Sequence, residues 1–350
     1  MKSLLRNAIF LLTPATLVAQ TITGSVRNGT TNKPSSGDPV IVMRLSDSME
    51  QESQTRSDSR GSFAIALKST AGPHLLRAVH AGVNYDQAIT DSTPVTITVF
   101  DSAARVAAVH GRLGIGQIEA DGSRLNVTEM YSLVNPSSPP ITQAGPKSFS
   151  FAIPREAILE FVQAKRERGV WINVTPLAVK DQPGRYAVDF PVRPGDTLFK
   201  FVYHLPYNGS AKLQFKPAYP VETFAVAHPP QMTFAARKAA FTNLGTVQGL
   251  RMEQVAAKGM LREIPAFEIS GTGEVEKPLR AAEQSPVLAA SAMPAGTKAA
   301  LATGATPNRD IWALLAGFAA LLSVVAFALI RSRWRHGHAI VKGAAASRWN

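Results

Sequence analysis

His74, His80 and Asp86 are the side chains whose types and spacing best suit a metal ion. Two imidazoles and one carboxylate can ligate a divalent cation, and positions six apart on a strand share one face of a sheet. His80, however, precedes Ala81 and Gly82, where the chain can turn. Histidines that only hydrogen-bond their neighbours on a sheet explain the same pattern. We therefore predict no metal site.

Residues 83–87 combine an aromatic ring with amide and carboxylate groups. Asn84, Tyr85 and Asp86 form the predicted ligand-binding site, because a planar ring can stack on a sugar while its polar neighbours bind hydroxyl groups. A tyrosine that is half buried, with only its hydroxyl in water, would give the same pattern. Four further aromatic residues are candidates of the same kind: Trp171, Tyr203, Tyr207 and Tyr219.

The motifs of common enzymes are missing from the sequence. The chain has no cysteine, which excludes thiol nucleophiles and zinc–thiolate sites. It also lacks a nucleophile elbow, a Walker loop and an H-E-x-x-H motif. Glu156 and Glu160 could act as paired carboxylates on a helix, but they also fit the acidic start of a helix whose end is basic. We predict that the chain is not an enzyme and needs no cofactor.

Residues 21–100 carry the pattern of a small all-β domain. Apolar residues alternate with small or polar ones at residues 62–68 and 95–99, which predicts strands with one buried face. The continuous apolar run at residues 40–45 suits a central strand. Turn-forming residues separate these segments, and several short strands at this spacing predict a β-sandwich.

Three stretches of this segment carry a family resemblance. They are residues 22–26 (ITGSV), residues 34–42 with Pro34 and Gly37 before VIV, and residues 55–63 (TRSDSRGSF). On these residues the segment resembles the carboxypeptidase regulatory-like domain. The resemblance implies a prealbumin-like (transthyretin-like) sandwich, grouped with carbohydrate-binding-like folds, and it brings no catalytic residue. A scaffold this common does not by itself assign a ligand.

Residues 101–270 are predicted to form a second β-rich domain, so that the fold is mainly β with two tandem sandwiches. Alternation at residues 186–190 and 198–203 indicates strands, with a turn between them at Pro194 and Gly195. One helix is predicted near residues 154–168, where Ile158, Phe161 and Val162 share a helical face. Residues 271–308, rich in Ala, Pro, Gly and Thr, are predicted to form a disordered stalk.

Ile311 to Ile330 is predicted to be a transmembrane helix. The stretch contains no charged residue, and its 20 residues would span about 30 Å as a helix, the thickness of a bilayer core. Trp312 lies where indole rings favour the membrane interface. Ala313 and Gly317 form a pair of small residues that allows another helix to approach closely.

Basic residues at both ends give the predicted orientation. Arg331, Arg333 and Arg335 follow the span directly, and residues 331–350 contain no acidic residue, so this tail is expected in the cytoplasm. Residues 1–20 have the layout of a signal peptide, with a short basic region before an apolar one. The bulk of the chain is therefore expected outside the cytoplasm, on the periplasmic face of a bacterial inner membrane.

Much of the net charge of +12 lies in these two ends, so we do not expect a nucleic-acid partner. The predicted partners are the lipid bilayer and a glycan or envelope protein. The chain is expected to be a membrane-anchored binding or structural protein that recognises a glycan, an envelope polymer or a protein. The alternative is an accessory subunit of a membrane transport or assembly complex.

Overall fold

The computed structural model describes residues 20–45, 49–68, 73–89, 94–167, 169–256 and 259–275. This part of the chain is mainly β and contains no α-helix. In particular, none of its segments is a helix of the length and apolarity needed to cross a bilayer. The predicted signal peptide up to residue 19, the stalk from residue 276, the span and the tail all lie outside the described residues.

The described residues of the first module form eight strands. They are β1 (Thr21–Asn28), β2 (Lys33–Pro34), β3 (Pro39–Leu45), β4 (Met49–Arg56), β5 (Ser62–Ala66), β6 (His74–His80), β7 (Val83–Ile89) and β8 (Val95–Val99). One antiparallel sheet has the order β4-β3-β6-β7. In the other, β1 pairs with β2 and β5 and runs parallel to β8. The predicted central strand is therefore confirmed as β3.

The two sheets of the first module enclose one hydrophobic core. Phe63, Ile65 and Leu67 are buried while the residues between them are exposed, as their alternation predicted. A β-carbon on Gly24 would lie 2.2 Å from the Val95 carbonyl oxygen and 2.5 Å from the Phe63 ring. Only glycine therefore lets β1 approach β8 and the core ring this closely.

In the second module, the residues that the structure describes form sixteen strands. They are β9 (Ser102–Ala103), β10 (His110–Ala120), β11 (Arg124–Asn135), β12 (Thr142–Gln143), β13 (Phe149–Ala152), β14 (Ile158–Arg166), β15 (Ile172–Asn173), β16 (Leu177–Ala178), β17 (Arg185–Val188), β18 (Gly195–Pro206), β19 (Ser210–Leu213), β20 (Val221–His228), β21 (Thr233–Ala236), β22 (Phe241–Val247), β23 (Leu250–Val255) and β24 (Phe267–Ser270). Eight of them form one sheet in the order β15-β14-β18-β11-β10-β20-β23-β22. The sheets β13-β17-β16 and β19-β24-β21 are smaller, and β9 pairs with β12.

The main core of the second module lies between the large sheet and the two small ones, and it is rich in aromatic rings. Phe149 stacks on Phe199 with ring centroids 4.0 Å apart, and Phe151 stacks on Phe201 at 4.1 Å. Such pairs stabilise a fold beyond the area that they bury. They hold the small sheet of β13 against β18, the third strand of the large sheet.

The predicted helix at residues 154–168 is wrong, because Ile158–Arg166 is strand β14 and pairs with β18. The register shifts between Leu159 and Phe161, so that the side-chain alternation breaks there. At a bulge two residues of one strand oppose a single residue of the partner, so the apolar residues on either side of it no longer follow a period of two. The spacing of Ile158, Phe161 and Val162 imitated a helical face for that reason.

The second module extends past its predicted end at residue 270. The Gly271 amide donates to the Gly209 carbonyl oxygen at 3.0 Å, and Gly273 and Ala120 exchange hydrogen bonds of 2.9 and 3.0 Å. The first five residues of the predicted stalk are thus held against the module.

Candidate functional site

The predicted ligand residues lie on β7, at the junction between the two modules. Tyr85 points into the core and is only 4% exposed, so it is not the exposed platform that its sequence context suggested. Its hydroxyl donates to the Phe100 carbonyl oxygen at 3.0 Å and lies 2.9 Å from the Thr142 hydroxyl. Asp86 accepts two hydrogen bonds from Arg77, at 2.7 and 3.4 Å. Both side chains are thus engaged within the protein.

An arginine of the second module reaches across to this strand. The Arg193 guanidinium lies 5.4 Å from the centroid of the Tyr85 ring, within the range of a cation–π contact. It also donates to the backbone carbonyl oxygen of Asn84. Across the junction, the predicted trio thus contributes the backbone of Asn84 and both the ring and the hydroxyl of Tyr85, which meets Thr142.

A cavity of about 380 Å³ opens beside Arg193, between the modules. Its walls combine two aromatic rings, two arginines, two acidic residues and a Pro-Gly turn: Tyr85, Thr98, Phe100, Arg166, Glu167, Gly169, Arg193, Pro194, Gly195 and Asp196. A larger depression of about 610 Å³ lies on the outside of the β1–β5 sheet, lined by small residues and by one arginine and one aspartate, Arg56 and Asp58. The junction cavity offers the stronger chemistry and is the candidate site.

Two positive charges meet in this cavity. Burial lowers the pKa of Arg193 to about 10, and the charge of Arg166 nearby lowers it as well. Arg193 stays protonated at neutral pH all the same. Its Nε is buried and has no hydrogen-bond partner among the described residues. A buried donor without a partner is costly, and other atoms of the same side chain line the cavity.

The metal candidates are held in three separate networks. His74 Nε2 lies 3.3 Å from Glu52 of β4, inside the first module. His80 lies between Asp38 and Asp101, and Asp86 pairs with Arg77. Only the Arg77–Asp86 pair lies across the β6–β7 pairing, and the partners of the two histidines come from other parts of the chain. Within the described residues there is no group of three or more suitable side chains around one point.

His80 joins the first module to the connection between the modules. Its Nδ1 lies 2.9 Å from Asp38, and its Nε2 lies 3.2 Å from Asp101. Asp101 is the second residue after strand β8, the last strand of the first module. Asn28 also donates to Asp101 at 2.7 Å. Burial alone would lower the pKa of His80, but the two carboxylates together raise it above its ordinary value. Ser35 lies 3.2 Å from the same Nδ1. Ser35 and His80 do not form a catalytic triad. Ser35 and Asp38 share the Nδ1 side of the ring, and the carboxylate of Asp101 occupies Nε2.

The remaining aromatic candidates are mostly structural. Tyr203 is buried and donates to Glu129, and Tyr207 donates to the Gly209 and Gly271 carbonyl oxygens. Tyr219 accepts a hydrogen bond of 2.7 Å from Gln143. Trp171 is half buried, with the ammonium groups of two lysines each 5.1 Å from its ring centroid: Lys165 and Lys200.

Sequence reasoning missed Arg193, and no local signal could have revealed it. It precedes Pro194 and Gly195 in a turn, where an arginine is ordinarily a solvated surface residue. Its role arises from a contact with residue 84, which is 109 positions earlier in the chain. Only the packing of the two modules makes that pairing visible.

Comparison with known proteins gives little at the level of sequence. No protein family profile and no curated protein matches the chain. Among solved structures, the M1 zinc metallopeptidase from Deinococcus radiodurans matches 47% of this chain and 42% of its own, with 12% identity and a TM-score of 0.29. A mutant of that enzyme bound to a Tyr-Ser-Ala substrate gives 13% identity and a TM-score of 0.28. A two-domain M1 zinc metallopeptidase mutant bound to L-arginine gives 11% and 0.30. The chain spans less than half the length of the proteins that it matches.

These matches correct one prediction. We predicted that the chain is not an enzyme, and the structural matches are to peptidases, so that prediction is contradicted and no longer held. With identities of 13% or less and TM-scores of 0.30 or less, the likeness carries no argument for a particular activity or metal.

Proposed function

We propose that this chain is a membrane-anchored extracytoplasmic binding protein that holds an anionic ligand in the cavity between its two modules. The observation that carries the proposal is the position of Arg193, stacked on Tyr85 at the cavity wall with its Nε unpartnered. A guanidinium is the side chain best suited to a planar carboxylate or to a phosphate, which it can bind through two parallel hydrogen bonds. Arg166 adds a second positive charge at the same place.

The ligand class follows from the cavity walls. The half-buried Phe100 ring favours an apolar or sugar face, and the arginines favour an acidic group. An acidic glycan or another anionic envelope polymer carries both features on one repeating unit. The cavity volume of about 380 Å³ would take one or two such units, since small-molecule sites begin near about 300 Å³.

The first module supports the proposal as a carboxypeptidase regulatory-like domain of the carbohydrate-binding-like class, a membership that rests on the resemblance of residues 22–63. The span at residues 311–330 and the basic tail would keep the body at the outer face of the membrane. A binding site there would face envelope polymers directly.

The test is a binding measurement on the full chain in detergent, against acidic and neutral envelope glycans. We expect retention of acidic glycans only, and at least a tenfold loss of affinity in Arg193→Gln. Arg124→Gln is the matched control, because Arg124 is exposed at the far end of β11 and should leave binding unchanged. Equal binding by both variants, or no retention of any acidic glycan, would overturn the proposal.

The alternative function, as an accessory subunit of a membrane complex, draws support from a different surface. Val170 is 79% exposed and Ile172 is 46% exposed, and they flank Trp171 at the β15 edge of the large sheet. Exposed edges with apolar residues are common sites of strand pairing with a partner. A photo-crosslinker at residue 170 should then capture a membrane partner in cells, whereas one at Leu244, on the opposite edge, should not.

A further inference from the structure

A nearly buried lysine lies on the face of the large sheet that is turned away from the aromatic core. Lys200 stands between Phe199 and Phe201 in β18, and because their rings face the core, its own side chain lies on the opposite face. Lys200 is 5% exposed, and its ammonium lies 5.1 Å from the centroid of the Trp171 ring and 5.4 Å from that of Phe161. Aromatic rings offset only part of the cost of burying a charge. No carboxylate among the described residues pairs with this ammonium.

A second lysine shares this face and makes the burial of Lys200 costlier. Lys165 of β14 lies opposite Leu198, two residues before Lys200, so the two lysines are diagonal neighbours on the sheet. The Lys165 ammonium also lies 5.1 Å from the centroid of the Trp171 ring. Burial lowers the pKa of Lys200 to about 8, and the charge of Lys165 lowers it as well. Part of the Lys200 population is therefore neutral near pH 7, and a neutral lysine amine is a nucleophile.

An unpartnered amide oxygen belongs to the same cluster. Gln163 is directly opposite Lys200 in the pairing of β14 with β18, which places their β-carbons about 5 Å apart. The Gln163 side chain donates from Nε2 to Asn173 Oδ1 at 2.9 Å. Its Oε1 is buried and accepts no hydrogen bond within the part of the chain that the structure describes. The cluster thus combines two cations that have no anion with an acceptor that has no donor.

We propose that Lys200 is a carbamate site, at which its amine adds carbon dioxide. The lone pair of Nζ forms a bond to the carbon, the electrons of one C=O π bond move to oxygen to give a carboxylate, and one proton leaves Nζ for water. The product keeps one N–H, which is the donor that Gln163 Oε1 lacks. Its carboxylate is the counter-ion that Lys165 lacks, so two like charges become an ion pair.

The burial of Lys200 selects carbon dioxide among electrophiles. With 5% of the residue exposed, a bulky or charged acyl donor does not reach Nζ, whereas carbon dioxide is small and uncharged. It is also present wherever bicarbonate is, so no further co-reactant is needed. The inference goes beyond the anion site proposed above, because neither Lys165 nor Lys200 lines the junction cavity.

The test traps the carbamate on the full chain in detergent. The protein is equilibrated with isotope-labelled bicarbonate and carbon dioxide and then treated with triethyloxonium, which converts a carbamate into a stable ethyl ester that peptide mass spectrometry locates. We expect the ester at Lys200, and about tenfold less at Lys212, an exposed lysine of β19, because solvated lysines are protonated at neutral pH. The α-amino group also reacts with carbon dioxide, and its ester shows in each sample that trapping has worked.

Two variants distinguish a stabilised carbamate from an amine that is merely reactive. Lys165→Gln removes the counter-ion and should lower the yield at Lys200 about tenfold, as for the loss of a charge-assisted hydrogen bond. Gln163→Leu keeps every charge and should also lower the yield, whereas Lys212→Arg is the matched control and should leave it unchanged. An undiminished yield in either variant would overturn the proposal. So would the absence of an ester at Lys200 in a sample whose α-amino group is trapped.

Discussion

Glu129 is the residue whose chemistry fits its surroundings least. It is 2% exposed inside the aromatic core and accepts hydrogen bonds from Tyr131 at 2.6 Å and from Tyr203 at 2.8 Å. Burial raises the pKa of its carboxyl group to about 7, although the two tyrosine hydroxyls act in the opposite direction. A buried carboxylate without a positive partner is retained at a cost to stability.

The raised pKa of Glu129 makes stability fall as pH rises. Between about pH 4.5 and 7 the folded chain binds more protons here than the unfolded chain, so the free energy of unfolding decreases through that range, by about 3 kcal/mol from this group. Glu129→Gln should remove most of this slope in denaturant unfolding at pH 5, 6 and 8. Glu160→Gln is the control, since Glu160 is exposed and bonded only to His204. An unchanged slope in Glu129→Gln would show that the carboxyl group titrates normally.

His80 predicts a second pH effect at the junction. Because its folded-state pKa lies above 6.5, the stability that its charged form provides is complete below pH 6.5 and is lost as pH rises through the folded value. Hydrogen exchange at the amides of residues 100–103 should therefore quicken between pH 6 and 8.5, beyond the intrinsic rate. In His80→Gln this additional change should disappear, whereas His110→Gln should keep it. Identical profiles in all three proteins would exclude His80 as the cause.

At the scale of elements, the strands of the first module could be predicted well and those of the second only in part. Period-two alternation identified β5 and β8, and the apolar run identified β3, because each strand has a simple inner face. The bulge in β14 broke that period, and the favourable order of charges around it imitated a helix dipole. The junction cavity could not be predicted, because Arg193 and Asn84 meet only when both modules are folded.

The close approach at Gly24 gives a test of the first sheet. Gly24→Ala places a β-carbon against the Val95 carbonyl oxygen and the Phe63 ring, so a backbone shift is required. We expect a loss of about 2 kcal/mol or more in the free energy of unfolding, as for other overpacked sites. Gly169→Ala, whose new β-carbon would meet nothing closer than 3.4 Å, should cost far less. Equal losses would mean that the crowding at β1 is relieved without strain.

The whole molecule is expected to place its two modules on one side of a membrane and its tail on the other. Twenty uncharged residues at positions 311–330 favour hydrocarbon, and the arginines that follow resist transfer across it. Since the chain has no native cysteine, Leu244→Cys and Ala345→Cys each supply a single reporter thiol. The cells are given a permeable outer membrane and an intact inner membrane. An impermeant maleimide should then label residue 244, which is 43% exposed, and should label residue 345 only after the inner membrane is lysed. Labelling of residue 345 in intact cells would reverse the orientation, and with it the assignment of the junction cavity to ligands outside the cytoplasm.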